Sequence, residues 1–186
     1  MNLFLHICCG PCTTYTLTQL RRKGISVHGY FYNPNIHPYR EFKKRIQSVK
    51  QLAEISNLKV EIDSRYGLTE YLRKVVFHEQ QRCPLCYAMR LEVVAQKAKE
   101  RGDDAFSTTL LYSKYQDHER IRIIGEKLAI QYEIDFYYED FREGWNEGID
   151  QAIAMDLYRQ PYCGCIYSEQ ERYDKAFKKY ADKIKL

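Results

Sequence analysis

The chain has 186 residues, a formal net charge of +4 and seven cysteines. This length can bury roughly 70% of the unfolded surface in one domain, so folding needs no disulfide framework. Cysteines make up about 4% of the residues, below the roughly 8–10% of a disulfide scaffold. No apolar run approaches the ~18–20 residues of a membrane span, and the first residues lack a basic signal-peptide start. We expect a soluble cytoplasmic protein whose clustered cysteines serve metal binding or catalysis.

The order of the elements predicts an α/β fold. Strands are expected over residues 3–8, 27–32, 59–62, 105–109 and 134–138. Helices are expected over residues 13–23, 39–55, 68–79, 87–101, 118–128 and 145–157. This alternation predicts a sheet of about five mostly parallel strands with flanking helices. We expect one domain over residues 1–186, whose helical segment 145–186 carries Cys163 and Cys165 and ends in a charged helix over 168–183.

A cysteine-rich loop follows the first predicted strand, at the edge of the sheet where such folds bind ligands. It carries Cys8, Cys9 and Cys12 where a phosphate-binding loop has glycines and a lysine, which indicates a metal or redox site. Cys8 and Cys9 can face one cofactor because the Gly-Pro pair after them breaks the strand. Cys12 is a neighbour of that site, a spare ligand or a core thiol.

A second cysteine pair, Cys83 and Cys86, lies at the start of a predicted helix. Two intervening residues let both sulfurs face one metal, and a helix N-terminus favours thiolates. Alone, the pair fits half a zinc site, half an iron–sulfur site, a thioredoxin-like redox pair or two packed thiols. With Cys8 and Cys9 it makes four thiolates, which suit tetrahedral zinc or a [4Fe–4S] cluster. We favour iron–sulfur, because common zinc-finger spacings contain no adjacent Cys-Cys pair.

A third pair, Cys163 and Cys165, has one glycine between its members. Such a pair closes a disulfide only through a small strained ring, and strained disulfides are easily reduced. We interpret it as a redox relay, with metal thiolates or simple thiols as the alternative. Asp117 lies just after a predicted strand, where a carboxylate can donate a proton or bind an extra metal, although surface carboxylates are common.

Several of the 17 tyrosines stand beside basic residues, as at Tyr39-Arg40, around Lys114 and at Tyr158-Arg159. Aromatic and basic surface suits single-stranded nucleic acid, whose bases stack on rings. The alternative is that these tyrosines serve as ordinary core and surface residues.

Together, these motifs resemble the QueH family of epoxyqueuosine reductases along almost the whole chain. The matching stretches are residues 6–12 (HICCGPC), 30–38 (YFYNPNIHP), 82–86 (RCPLC) with Arg90-Leu91, 106–110 (FSTTL) with Asp117, and 158–165 (YRQPYCGC). The resemblance implies an adenine-nucleotide-hydrolase-like fold, shared with PP-loop ATPases. The Ser-Gly-Gly-x-Asp-Ser loop of those ATPases is absent from the sequence, so no nucleotide site is implied.

The resemblance also implies a [4Fe–4S] cluster on Cys8, Cys9, Cys83 and Cys86, and a redox-active disulfide between Cys163 and Cys165. The implied reaction reduces epoxyqueuosine to queuosine at the wobble position of tRNA, the last step of queuosine synthesis.

Removing an epoxide oxygen needs two electrons, two protons and a group that polarises the oxygen. An open position on the cluster, or an additional mononuclear iron with Cys12 and Asp117 as candidate ligands, would serve. The basic, tyrosine-rich rim would hold the anticodon loop, and the electron donor is left open. The alternatives are a zinc-stabilised tRNA-binding module without catalysis and a PP-loop-like tRNA thiolase, which the missing loop motif disfavours.

Overall fold

A parallel sheet of five strands forms the centre of the computed structural model, which describes residues 1–177. The strands are β1 (Asn2–His6), β2 (Ser26–Phe31), β3 (Val60–Ile62), β4 (Ala105–Thr108) and β5 (Asp135–Phe136). Their order in the sheet is β3-β2-β1-β4-β5, and every neighbouring pair is parallel. The predicted α/β fold with an adenine-nucleotide-hydrolase-like sheet is confirmed.

Helices cover the sheet in two groups. They are α1 (Gly10–Arg22), α2 (Tyr39–Ser56), α3 (Leu68–Val75), α4 (Arg82–Arg101), α5 (His118–Tyr132), α6 (Trp145–Ala154) and α7 (Ile166–Tyr173). Helix α1 packs against α2 and α6, while α4 packs against α3 and α5. Leu3, Phe4 and Leu5 of β1 are fully buried, as expected of a central strand with helices on both faces. No helix within residues 1–177 is long and apolar enough to cross a membrane.

Three helices begin earlier than the sequence predicted, and all three changes involve cysteines. Helix α7 begins at Ile166 rather than residue 168, because the Cys165 sulfur accepts the Ser168 N–H at 3.4 Å. Helix α1 begins at Gly10 rather than residue 13, because the Cys9 sulfur accepts the Cys12 N–H at 3.4 Å and so caps the helix. Helix α4 begins at Arg82 rather than residue 87, with a proline at a first-turn position where its missing N–H costs nothing. Consequently Cys12 and Cys83 lie in the first turns of their helices, and Cys86 lies in the second turn of α4.

Other elements are shorter than predicted. Strand β5 has two residues instead of five. Helix α3 ends at Val75 instead of residue 79, and Phe77 then adopts a left-handed conformation with a φ of 67° that no helix continues. Of the charged helix predicted over residues 168–183, the structure describes α7, which ends at Tyr173. The part of that prediction beyond residue 177 lies outside the described residues.

Gly10 allows α1 to approach α2 closely, because a Cβ atom there would lie 2.5 Å from Ser48 Oγ and 2.9 Å from the Ser48 carbonyl oxygen. We expect Gly10→Ala to lower the free energy of unfolding by about 1–3 kcal/mol through overpacking, measured by urea denaturation. The control is Gly102→Asn, at a φ of 74° with nothing within 4 Å of the added Cβ. Asparagine tolerates this conformation, so the control should lose less than about 1 kcal/mol. Equal losses in the two variants would contradict the packing explanation.

Candidate metal and redox site

The cysteine-rich loop lies at the carboxyl edge of the sheet, between β1 and β4. Strand β1 pairs with β2 on one side and β4 on the other, so the strand order reverses there, and α/β sheets bind ligands at such a point. Cys8 follows β1, and Thr109 follows β4. The Thr109 hydroxyl donates to Cys8 Sγ at 3.2 Å and accepts the Cys8 backbone N–H at 3.0 Å. These two hydrogen bonds hold Cys8 against Thr109, and so join the ends of β1 and β4 at the point where the strand order reverses.

Cys8, Cys9 and Cys12 form a buried group of thiols whose sulfur atoms all lie within 4.8 Å of one another. Hydrogen bonds from Cys12, and then from Cys9 and Thr109, hold the pKa of Cys8 well below its usual range. Burial raises the pKa of Cys9, and the hydrogen bond to Cys8 raises that of Cys12. Of the three thiols, Cys8 is therefore the one whose thiolate form is most favoured. Three sulfurs in this arrangement could hold a metal ion, which brings Cys12 into the site beside the two predicted ligands.

The other four cysteines form a second group. Cys86 and Cys165 belong to one small buried cluster with Tyr71. Burial raises the pKa of Cys86 to about 12, and the nearby Cys163, Cys165 and Cys83 add to the rise. All seven cysteines are free thiols in the structure. The sequence separated Cys163 and Cys165 from the C-x-x-C pair, whereas the fold places them beside it.

Arg90 lies between the two thiol groups. Its side chain is 2% exposed, with Nε donating to the Cys86 carbonyl at 3.3 Å and Nη1 donating to Asn33 Oδ1 at 3.1 Å. Burial disfavours the Arg90 charge, but Cys86, Cys163 and Cys8 favour it, so the Arg90 pKa lies above its ordinary value. Among the described residues, its Nη2 atom has no hydrogen-bond partner. A buried cationic N–H without a partner is costly, so this position suits a further anionic group.

A second buried arginine, Arg45, holds the C-terminal segment in place. Its Nη1 donates to the Cys163 carbonyl at 2.7 Å and its Nη2 to the Tyr162 carbonyl at 2.9 Å. Its Nε donates to Glu41 Oε1 at 2.8 Å, and Glu41 also accepts the Tyr158 hydroxyl. The Cys163 main chain is thereby tied to helix α2.

The two thiol groups share a cavity of about 590 Å³. Its lining includes Cys8, Cys12, Cys163, Arg90 and Gln160. The Gln160 amide nitrogen lies 2.9 Å from Cys9 Sγ and 3.9 Å from Cys12 Sγ. The volume falls within the range of small-molecule sites, and the cavity brings sulfur from both groups to one space.

Asp117 lies outside the lining of this cavity. Its Oδ1 accepts the Arg120 backbone N–H at 3.1 Å, which caps helix α5, and its Oδ2 lies 3.1 Å from Arg120 Nε. Its neighbour Gln116 lines the cavity instead and donates to Cys163 Sγ at 3.6 Å. Both Asp117 oxygens are thus engaged in this structure, and the suggestion that Asp117 serves as an acid or metal ligand stays a prediction.

Sequence reasoning gave no role to Arg45 or Arg90. Arg90 stands one helical turn after Cys86, so both lie on one face of α4, which was a usable signal. Arg45 stands one turn after Glu41 and looks in the sequence like half of an ordinary surface ion pair. Only the tertiary structure shows that this pair is buried.

Comparison with known proteins supports one family. Residues 3–171 match the family model described as epoxyqueuosine reductase QueH. A relative of that name from Dehalococcoides mccartyi is 36% identical over 94% of this chain and 96% of its own length. Another from Thermotoga maritima is 35% identical over 94% of this chain and 93% of its own length.

A solved structure, described as a predicted subunit of tRNA methyltransferase from Methanocaldococcus jannaschii, matches 82% of this chain and 74% of its own. The TM-score is 0.56 at 12% identity, so this likeness concerns the fold alone. The family model matches residues 3–171, a range that contains all seven cysteines, and both relatives cover 94% of the chain. The chain therefore belongs to the QueH family of epoxyqueuosine reductases.

Proposed function

We propose that this chain reduces epoxyqueuosine to queuosine at the wobble position of tRNA, the final step of queuosine synthesis. The observation that carries the proposal is the meeting of two cysteine groups around buried Arg90, beside one cavity. The family description names the same reaction. The whole chain, residues 1–186, would act as one α/β unit in the cytoplasm, where thiols stay reduced.

The cofactor we propose is a [4Fe–4S] cluster held by Cys8, Cys9, Cys83 and Cys86. The donor set is sulfur alone, which suits iron–sulfur clusters. A cluster distributes its thiolates over several irons, so ligands from two separate groups fit it better than they fit one ion. The unpartnered Nη2 of Arg90 fits a nearby anionic group. When bound, the cluster would supply electrons one at a time.

Cys163 and Cys165 would supply the two electrons and two protons that the reduction consumes. Removal of the epoxide oxygen as water breaks two C–O bonds and consumes two electrons and two protons. Closure of a dithiol to a disulfide forms one S–S bond and releases two electrons and two protons. An external reductant of unknown identity would reopen the disulfide after each turnover.

Cys12 and Asp117 remain our candidates for the additional mononuclear iron. Cys12 already lies within 4.8 Å of two other sulfurs. Asp117 would have to release its ion pair with Arg120. That pair is half-exposed, so its loss would cost little, about 0–1 kcal/mol.

The first experiment counts the metal. We expect protein purified without oxygen to be coloured and to hold about four irons and four sulfides per chain. Exposure to air should bleach it. A colourless protein with one zinc and no sulfide would instead support the zinc-stabilised tRNA-binding module and rule out the cluster.

The second experiment distinguishes the cysteines that bind the cluster from the cysteines of the redox relay. Cys83→Ala removes one of four thiolates, so we expect it to lose most of its iron. Cys163→Ala should keep its iron and slow turnover, and circular dichroism should show both variants folded. Cys163 lies near the proposed ligand Cys86, so the iron content of the two variants is measured under the same conditions. Equal iron loss in the two variants would show that this division of the cysteines is wrong.

The third experiment traps thiols before and after a single turnover without external reductant. We expect Cys163 and Cys165 to be alkylated before turnover and protected afterwards, as read by peptide mass spectrometry. Cys165→Ser is the control, because it cannot form the bond and should stay alkylated at Cys163. If both cysteines remain alkylated in both samples while product forms at the normal rate, the relay is refuted.

A further inference from the structure

One wall of the cavity consists of aromatic rings and contains the only tryptophan in the chain. We call Tyr112, Tyr115 and Trp145 the aromatic wall. Trp145 stacks on Tyr112 with ring centroids 5.3 Å apart, and Tyr115 meets Trp145 edge-on at 5.6 Å. Tyr112 is 3% exposed and Tyr115 is 83% exposed. The wall therefore runs from the core, near Cys12, out to solvent.

The inner part of the aromatic wall is held rigidly. The Tyr112 hydroxyl donates to the Trp145 carbonyl at 2.7 Å. Gly148, one turn further along α6, leaves room for this ring, since a Cβ there would lie 2.4 Å from the Tyr112 oxygen. Tyr115, by contrast, is largely exposed. A fixed ring beside an exposed one offers flat apolar surface on which a planar group can stack.

The charge of the cavity lining beside the aromatic wall is positive. The cavity lining contains Arg45, Arg90, Arg159 and Arg172 against one acidic residue, Glu171, which already pairs with Arg82. Lys114 lies over the Trp145 ring at 5.6 Å. In the described part of the chain, Lys114, Arg159 and Arg172 form no ion pair. Such exposed, unpaired cations beside rings attract phosphates.

We propose that the aromatic wall is a base-stacking subsite for an unpaired nucleotide of the substrate RNA, with Lys114 and Arg159 on the flanking phosphates. The proposal rests on the proposed function, in which the substrate is a tRNA anticodon loop. Stacking on Tyr115 and Trp145 is tolerant of base identity, because every base has a π face. The subsite would hold a neighbour of the modified base while that base enters the cavity.

The single tryptophan makes the subsite observable without a label on the protein. An unmodified anticodon stem-loop RNA is titrated into the anaerobic, cluster-loaded protein. Trp145 fluorescence and the anisotropy of dye-labelled RNA are followed together. We expect the fluorescence to be quenched with the same midpoint as the anisotropy change. Binding without any change in Trp145 fluorescence would overturn the subsite.

Variants test the two halves of the subsite separately. Tyr115→Ala should weaken RNA binding roughly 5- to 150-fold, the equivalent of about 1–3 kcal/mol per stacked base, and leave the salt dependence unchanged. Tyr115→Phe keeps the ring and should bind normally. Lys114→Ala and Arg159→Ala should each reduce the slope of log K against log salt by about one. The controls are Tyr138→Ala and Lys59→Ala, at exposed positions outside the cavity lining.

The outcomes distinguish the subsite from the reductase. If Tyr115→Ala binds RNA as tightly as Tyr138→Ala, the subsite is wrong, whereas normal reduction of tRNA by the wild-type protein would leave the proposed function standing. If the wild-type protein binds neither the stem-loop nor tRNA and forms no product, both proposals fail.

Discussion

The buried guanidinium of Arg45 is the interaction on which the whole site depends. Its three hydrogen bonds join Glu41 on its own helix to the carbonyls of Tyr162 and Cys163, 117 and 118 residues away. Removing one member of such a buried pair costs about 3–5 kcal/mol, because the other charge is left uncompensated. Since α2 is packed against the sheet, the same contacts fix the Cys163 thiol relative to Arg90. Without them the cavity would lack a wall and the second thiol group would lose two of its four members.

Charge compensation explains why two arginines are buried beside so many thiols. A thiolate in a low-dielectric interior is costly unless a cation or a hydrogen-bond donor faces it. At Cys8 the compensation comes from Thr109 and two neighbouring thiols. At Cys86 burial dominates and raises the pKa to about 12, and Arg90 only partly opposes it. The pKa is thus lowered at Cys8 and raised at Cys86, so a metal binding to both would displace a proton more readily at Cys8.

The sequence was sufficient to predict the sheet and the edge of the sheet where the site lies, because alternating strands and helices allow few topologies. It also singled out the cysteines that the structure brings to this part of the fold. It could not show that Cys165 packs with Cys86, since the two are brought together by contacts between distant segments and no local pattern encodes them. The early starts of α1 and α4 were missed for a related reason. Sulfur is a rare helix cap, so Cys9 gave no recognisable start signal. The position of Asp117 after a strand suits a catalytic carboxylate and equally suits the helix cap that it forms in the structure.

The hydrogen bonds from Arg45 to the carbonyls of Tyr162 and Cys163 can form only late in the synthesis of the protein. Five of the seven cysteines, and every strand of the sheet, precede residue 137 and leave the ribosome before Cys163 is made. Until then Arg45 has no distant carbonyls to hold, and the space above Cys8 and Cys12 is open on the side that residues 159–163 later occupy. In the incomplete chain the thiols of Cys8 and Cys12 are thus uncovered on this side, and residues 159–163 cover them once they dock. A metal ion delivered during translation would therefore meet these thiols before residues 159–163 dock, so the timing of that docking would govern the access of metal to the site.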